Sequence, residues 1–181
     1  ISDVSQFLTQ VLQLIYPNLP KNIYAVTGTN GKTSVAEYTR QILDFLKIKS
    51  ASIGTIGVKT TQPLIGDIAE SSLTTPDIVS LYKNLAFLSQ NNIDDVAIEV
   101  SSIGLEQNRI DGIKINSGAF TNFSQDHLDY HQNMAEYFRC KMILFEKILN
   151  SGQIAIINAD IPQFDDIKKI CLKRNIKIYD Y

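Results

Sequence analysis

The chain has 181 residues, 44% hydrophobic and 20% charged, with a net charge of −2. Those totals describe one packed domain, with room for a flanking piece, and exclude an intrinsically disordered chain. The near-neutral balance offers no concentrated basic surface for nucleic acid, and no apolar run reaches the ~20 residues of a membrane span.

The opening I-S-D-V-S-Q shows no signal-peptide pattern and no initiator Met, so a processed or excised piece is expected. Cys140 and Cys171 fit no metal or redox spacing and read as reduced thiols, which suits a cytoplasmic protein. A monomer is expected.

Residues 3–16 read as a short amphipathic helix with Val4, Phe7, Leu8, Val11, Leu12 and Ile15 on one side. The stretch Y-P-N-L-P-K-N then breaks it. Residues 1–20 are therefore assigned to a linker or the end of a preceding domain, and 21–181 to the main domain. From there strands and helices alternate. Ile23–Val26 is a strand. Thr33–Lys47 is a helix with Val35, Tyr38, Ile42, Leu43 and Leu46 spaced for one face. Ala51–Ile56 is a strand, and 57–73 a loop or small hairpin. Thr75-Pro76-Asp77 has the form of a helix start, with Thr75 as N-cap. The helix continues through Ile78, Leu81, Tyr82, Leu85 and Leu88. Asp95–Val100 and Gly118–Thr121 are strands. Asn133 and Glu136 resemble a capping box, opening a helix to Leu149 with Met134, Phe138, Met142 and Phe145 inward. A strand at Gln153–Ile157, a helix at Pro162–Arg174 and a strand at Lys177–Tyr179 follow. This order predicts an α/β fold: a mostly parallel sheet flanked by helices on both faces, with ligands at the carboxyl ends of the strands.

Three stretches carry chemistry. Residues 27–33 read T-G-T-N-G-K-T between a strand and a helix. Compared with the general phosphate loop G-x-x-x-x-G-K-[ST], two residues are missing between the glycines. The context still suits an anion: glycines let backbone N–H groups point inward, and the helix N-terminus adds its positive end. Lys32 would reach terminal phosphates and the Thr33 hydroxyl would ligate Mg²⁺. The plain alternative is a β-α turn with an exposed lysine. Second, I-E-V-S-S-I-G-L places Glu99 in a strand that should be buried. A lone carboxylate there is costly, so it either meets a metal ion or lies at the strand end facing water. Third, T-N-F-S-Q-D-H-L-D-Y-H holds both histidines of the chain. His127 beside Asp126 could ligate a metal, or be a satisfied loop histidine.

In this order G-T-N-G-K-T, T-T-P, E-V-S-S-x-G-L, Q-x-R, T-N-x-x-x-D-H-L-D-Y-H and a following helical lysine resemble the Mur ligases, and among them those that add the third residue of the cell-wall peptide. The resemblance covers roughly Tyr16 to Asp160. It implies a phosphate-loop ATPase domain, incomplete at its C-terminus, that is the central one of three. It implies ATP and two Mg²⁺ ions as cofactors. As partners it implies UDP-N-acetylmuramoyl-dipeptide and an amino acid, diaminopimelate or lysine. The peptide carboxylate would be phosphorylated and the acyl phosphate attacked by an amine.

By the same resemblance Gly28, Thr29, Asn30, Gly31, Lys32 and Thr33 hold ATP. Thr33 and Glu99 bind one Mg²⁺, and His127 binds the second beside Lys141, the position of a carbamylated lysine. Thr74, Thr75, Ser101, Gln107 and Arg109 hold the muramoyl substrate. Lys141 adjoins the inward Met142, so a solvated flank position is its bland alternative. Two positions depart from the family pattern: Ile103 stands where histidine is usual, and Leu73 where asparagine is frequent. A folylpolyglutamate-type ligase shares this chemistry, but D-H-L-D-Y-H and E-V-S-S argue against it. A non-catalytic nucleotide-binding fragment is the remaining alternative.

Overall fold

A computed structural model describes residues 4–69 and 71–181. A helix α1 (Val4–Ile15) leads into β1 (Asn22–Thr27), α2 (Lys32–Phe45), and the hairpin β2 (Ser50–Gly54) and β3 (Gly57–Thr60). Then come α3 (Ile78–Gln90), β4 (Asp95–Glu99), the short α4 (Ser102–Glu106), β5 (Ser117–Phe120), and α5 (Met134–Ile143). A π-helical turn (Leu144–Ile148), β6 (Ile154–Ile157), α6 (Phe164–Lys173) and β7 (Lys177–Asp180) complete the order. The strands form one seven-stranded sheet ordered β3-β2-β4-β1-β5-β6-β7. All neighbours pair parallel except β2 with β3, as β-α-β connections require.

Strand alternation divides the sheet into two faces. Ala51, Ile53, Val96 and Ile98 point into a buried cluster with Leu81, Leu85 and Leu88 of α3. Their neighbours point the other way: the Ser52 hydroxyl donates to Glu37 of α2 at 2.9 Å, and the Thr33 hydroxyl of α2 donates to Glu99 at 2.8 Å. Helices therefore cover both faces, and the expected α/β fold is the one observed. β1 lies at the centre. After it the chain crosses to β2 on one side, while β5, β6 and β7 extend on the other. The crevice at this switch of direction is where open α/β sheets bind ligands.

Several local readings need correction. The apolar stripe of α2 does not face the sheet: Tyr38, Ile42 and Leu46 are well exposed, and so is Phe45. The inward side is Ala36 with Glu37, because the strands beneath present Ser50, Ser52 and Glu99, so a small residue and polar partners fit there. Helical spacing identifies a stripe but not its destination. Likewise Leu12 of α1 is buried while Val4, Phe7 and Ile15 are exposed. Thr75 is not the cap of α3; Asp77 is, accepting from the Ser80 N–H at 3.0 Å. The helix from Asn133 stops being α-helical at Ile143 and does not run to Leu149. Its cap holds as read, with Asn133 Oδ1 accepting from Glu136 N at 2.9 Å, but the Glu136 carboxylate reaches back to Gln132 N instead of Asn133.

Candidate active site

The T-G-T-N-G-K-T stretch leaves the end of β1 as a tight loop. Gly28 has φ +142°, and a Cβ there would lie 2.0 Å from Thr121 Oγ1, so only glycine fits. Gly31 caps α2. The 121–124 segment after β5 clamps the loop. Thr29 N–H donates to Asn122 O (2.9 Å) and Asn30 N–H to Asn122 Oδ1 (2.9 Å). Thr121 Oγ1 donates to Asn30 O (2.6 Å), and Ser124 N–H to Thr29 Oγ1 (3.0 Å). Thr29 and Asn30 thus spend their N–H groups on bracing. The donors left for an anion are those of the first turn of α2, which have no partner within the helix.

Lys32 and Lys141 converge on this loop. Lys32 Nζ donates to Gly28 O (3.0 Å) and Thr29 O (2.8 Å), and burial lowers its pKa. Lys141 is 1% exposed, so the solvated-flank alternative is excluded. Its Nζ donates to the same Gly28 O at 2.7 Å and sits over the Tyr137 ring, 4.4 Å from the centroid. Burial first, and the Lys32 charge second, push Lys141 down from 10.5 to about 7.

Glu99 closes β4 and is 2% exposed. The parallel register sets it beside Val26, directly before the loop. Its carboxylate accepts from the Thr33 hydroxyl (2.8 Å), Thr55 N–H (2.9 Å) and the Thr55 hydroxyl (3.3 Å). Room for it comes from Gly54, where a Cβ would lie 1.9 Å from Glu99 Oε1. All these partners are neutral. A buried carboxylate with neutral donors and a hydroxyl at its side suits one hard cation that keeps waters and takes phosphate oxygens. Among the described residues no cluster of three His, Cys, Asp or Glu forms a cage.

His127 lies in the left-handed region (φ +52°), on an exposed loop, with Nε2 3.5 Å from Asp126 Oδ2. Its ring centroid is 6.0 Å from that of Tyr137, which places it on the Lys141 side of the cleft. No contact joins His127 to Glu99. Beside a second cation there Lys141 could not stay an ammonium, whose charge would repel the metal. His131 is buried instead, its Nε2 2.8 Å from Ser102 Oγ and its ring 5.2 Å from that of Tyr137.

The remaining candidates form a second group across β4. Thr75 Oγ1 donates to Glu99 O (3.1 Å) and accepts from Ser101 N–H (2.9 Å). Ser101 caps α4, accepting from Gly104 N–H at 3.0 Å. Thr74 Oγ1 is 3.0 Å from Thr55 Oγ1. Arg109 Nη1 donates to Thr75 O (2.7 Å), and its Nε and Nη2 to Gln107 Oε1 (3.1 and 2.6 Å). Arg109 is thus held in a fixed orientation by neutral acceptors. A cavity of about 740 Å³ adjoins this group, lined by Ile53, Gly54, Ile56, Leu64, Ile68 and Pro76 among others. Sequence reasoning missed Thr55 and Tyr137. Thr55 carries no local signal, and Tyr137 was hidden by its place one residue before the inward Phe138.

The sheet order, the glycine loop and the lysine at the helix start define an α/β domain of the phosphate-loop class. The chain belongs to the Mur ligase family: the family described as Mur ligase middle domain matches residues 26–181. A curated relative from Rickettsia bellii, UDP-N-acetylmuramoyl-L-alanyl-D-glutamate--2,6-diaminopimelate ligase, is 44% identical over 179 residues, 98% of this chain and 37% of the relative. The chain therefore spans little more than a third of the length of that relative. A solved structure of a UDP-N-acetylmuramoyl-L-alanyl-D-glutamate--2,6-diaminopimelate ligase superposes with TM-score 0.81 at 30% identity, covering 98% of this chain and 35% of that one. A bifunctional folylpolyglutamate synthase/dihydrofolate synthase from Yersinia pestis, complexed with AMPPNP and Mn ion, gives TM-score 0.70 at 19% identity, covering 97% and 46%, and shares the fold.

Proposed function

We propose that this chain is the central ATP-binding domain of an amide ligase that builds the cell-wall precursor peptide. Residues 21–181 form that domain, and 1–20 lead into it. The ligase adds the third amino acid to UDP-N-acetylmuramoyl-L-alanyl-D-glutamate. Diaminopimelate is favoured over lysine by the name of the 44%-identical relative. The observation that carries the reading is the pairing of Thr33 with buried Glu99 beside Lys32 at the end of the central strands. Such an enzyme works in the cytoplasm, and a monomer suffices.

In this reading a carboxylate oxygen of the peptide attacks the γ-phosphorus of ATP, ADP leaves, and an acyl phosphate forms. The amine nitrogen then attacks the acyl carbon, phosphate leaves, and the nitrogen loses a proton. Carboxylate and triphosphate repel each other, so the chain must supply positive charge and fixed geometry. Lys32 and the first N–H groups of α2 meet the phosphates. Thr33 and Glu99 would hold one Mg²⁺. His127, with Lys141 as its carbamate, would hold a second. A metal ion held by these residues would supply positive charge against the negative charge of the phosphates. Arg109, Gln107, Thr74, Thr75 and Ser101 orient the muramoyl substrate; the fork of Arg109 suits phosphate or carboxylate.

The test is phosphate release by the ligase that carries this chain, with ATP, Mg²⁺ and diaminopimelate. Release dependent on UDP-muramoyl-dipeptide supports the reading. Release dependent on a folate instead overturns it in favour of the folylpolyglutamate-type alternative. The 181-residue chain alone is expected to bind Mg²⁺-ATP without turnover.

A further inference from the structure

Tyr137 is the largest side chain in the cleft with no assigned task. It is fully buried on α5. Lys141 stands four residues later on the same helical face, with its ammonium over the Tyr137 ring. The ring also packs against His131, His127 and Phe123, at centroid distances of 5.2, 6.0 and 5.2 Å. The phenol hydroxyl points to the phosphate loop and donates to Thr29 Oγ1 at 3.3 Å. Thr29 Oγ1 is the atom that also accepts from Ser124 N–H and donates to Ser124 O at 3.1 Å.

A residue needed only for bulk would bury a phenylalanine as well, since a buried hydroxyl is costly unless it has a partner. Here the hydroxyl finds its partner on the loop, and the ring finds its cation on the helix. These contacts come from opposite ends of one rigid side chain.

We propose that Tyr137 is the positioning residue of this site, its ring orienting Lys141 and its hydroxyl bracing the phosphate loop at Thr29. It thereby fixes the distance between the loop and the lysine. His131 sets the ring in turn: its imidazole lies beside the phenol ring at 36° and is anchored to α4 through Ser102. In its effect on the reaction this inference rests on the proposed function; in its structural content it does not.

Two variants separate the two ends. Tyr137→Phe keeps the ring and removes the hydroxyl; Tyr137→Leu removes both. The first measurement is amide exchange in the 181-residue chain at Thr29, Asn30 and Ser124, whose N–H groups hold the loop. Losing one hydrogen bond, about 1 kcal/mol, should speed exchange there about fivefold in both variants, with α3 amides unaffected in the Phe variant. The second is affinity for the Mg²⁺ complex of a non-hydrolysable ATP analogue, expected to weaken about fivefold in the Phe variant. The third is ligase kinetics. Tyr137→Phe should raise KM for ATP, whereas Tyr137→Leu should add at least a tenfold loss of kcat through Lys141. A Phe variant with parental loop exchange and parental nucleotide affinity would overturn the proposal. Equal kinetics for Phe and Leu would overturn the role of the ring. If the parent chain bound no nucleotide, the proposed function would fall, while loop exchange would still decide whether Tyr137 braces Thr29.

Discussion

Replacing Lys141 with methionine should make the protein more stable, and the size of the effect should depend on pH. The lysine is buried, and its pKa falls from 10.5 to about 7, chiefly through burial. The unfolded chain keeps its proton up to pH 10.5, so between pH 7 and that point the unfolded state binds more protons than the folded one. Stability of the parent therefore rises with pH across this window. Each tenfold change in proton affinity is worth about 1.4 kcal/mol, which puts the cost of Lys141 at pH 7 on the order of 4 kcal/mol. By pH 10 most of that cost is gone. Methionine fills a similar volume without charge, but forgoes the bond to Gly28 O and the contact with Tyr137, about 1–2 kcal/mol together. Lys141→Met is thus expected to gain about 2–3 kcal/mol at pH 7, and the gap to the parent should close by pH 10. Urea unfolding of both proteins from pH 7 to 10, in buffers freed of carbon dioxide, measures it. A gap that stays constant with pH would refute the reasoning. The same displacement leaves about half of the lysine as free amine near neutral pH, the form that adds carbon dioxide to give a carbamate.

Glu37 shows the opposite sign. Arg40 foremost holds its pKa down to about 2 from 4.5, with Gln41 and Ser52 adding hydrogen bonds. The stability it lends is present above pH 4.5 and lost as pH falls toward 2; Glu37→Gln should cost on the order of 2 kcal/mol at pH 7 and nothing at pH 2, read by acid unfolding midpoints. Gly54→Ala forces a methyl into the Glu99 carboxylate; magnesium-dependent nucleotide affinity should drop at least tenfold, and unchanged titration curves would contradict that. Lys32→Ala and Glu99→Ala should each lower ligase turnover by orders of magnitude with circular dichroism unchanged, so near-parental turnover in either would remove that residue from the site.

What could be read in advance was what is local. The glycine loop, the Asn133 cap and the inward face of α3 each follow from residues within one or two turns, and each is present. For Glu99 the apolar strand was legible, but whether its carboxylate met a partner or faced water was left open; at 2% exposed it does not face water. What failed depended on partners far along the chain. Thr75 has the form of a helix cap, but Glu99 O and Ser101 N–H occupy its hydroxyl, and Asp77 takes the cap. The stripe on α2 was found, but its direction was not legible, because nothing within α2 discloses that β2 offers it Ser50 and Ser52. For Lys141 the local residues left a solvated flank beside Met142 open, next to the site role that the resemblance implied. It is buried along with Met142 because the loop after β1 closes over α5 on the side where the lysine emerges, and Gly28 O offers it an acceptor.

Lys32 and Lys141 share one acceptor, Gly28 O. Their ammonium groups therefore lie within about 6 Å of each other, where two like charges repel by about 3 kcal/mol at an effective dielectric of 20. Gly28 O, Thr29 O and the Tyr137 ring offset part of that, with the Asp126 charge on the same side, while the Glu99 carboxylate is bonded to Thr33 and Thr55. A packing core would not keep two lysines so placed; it would have replaced one with an apolar residue at a gain in stability. An anion entering the loop would offset the remaining repulsion. Phosphate at the start of α2 would draw Lys32 off Gly28 O, and a carbamate on Lys141 would reverse the sign of the second charge. Relief of that repulsion would then add to the binding of a negatively charged ligand, which favours the proposed nucleotide cleft over a turn with a stray lysine.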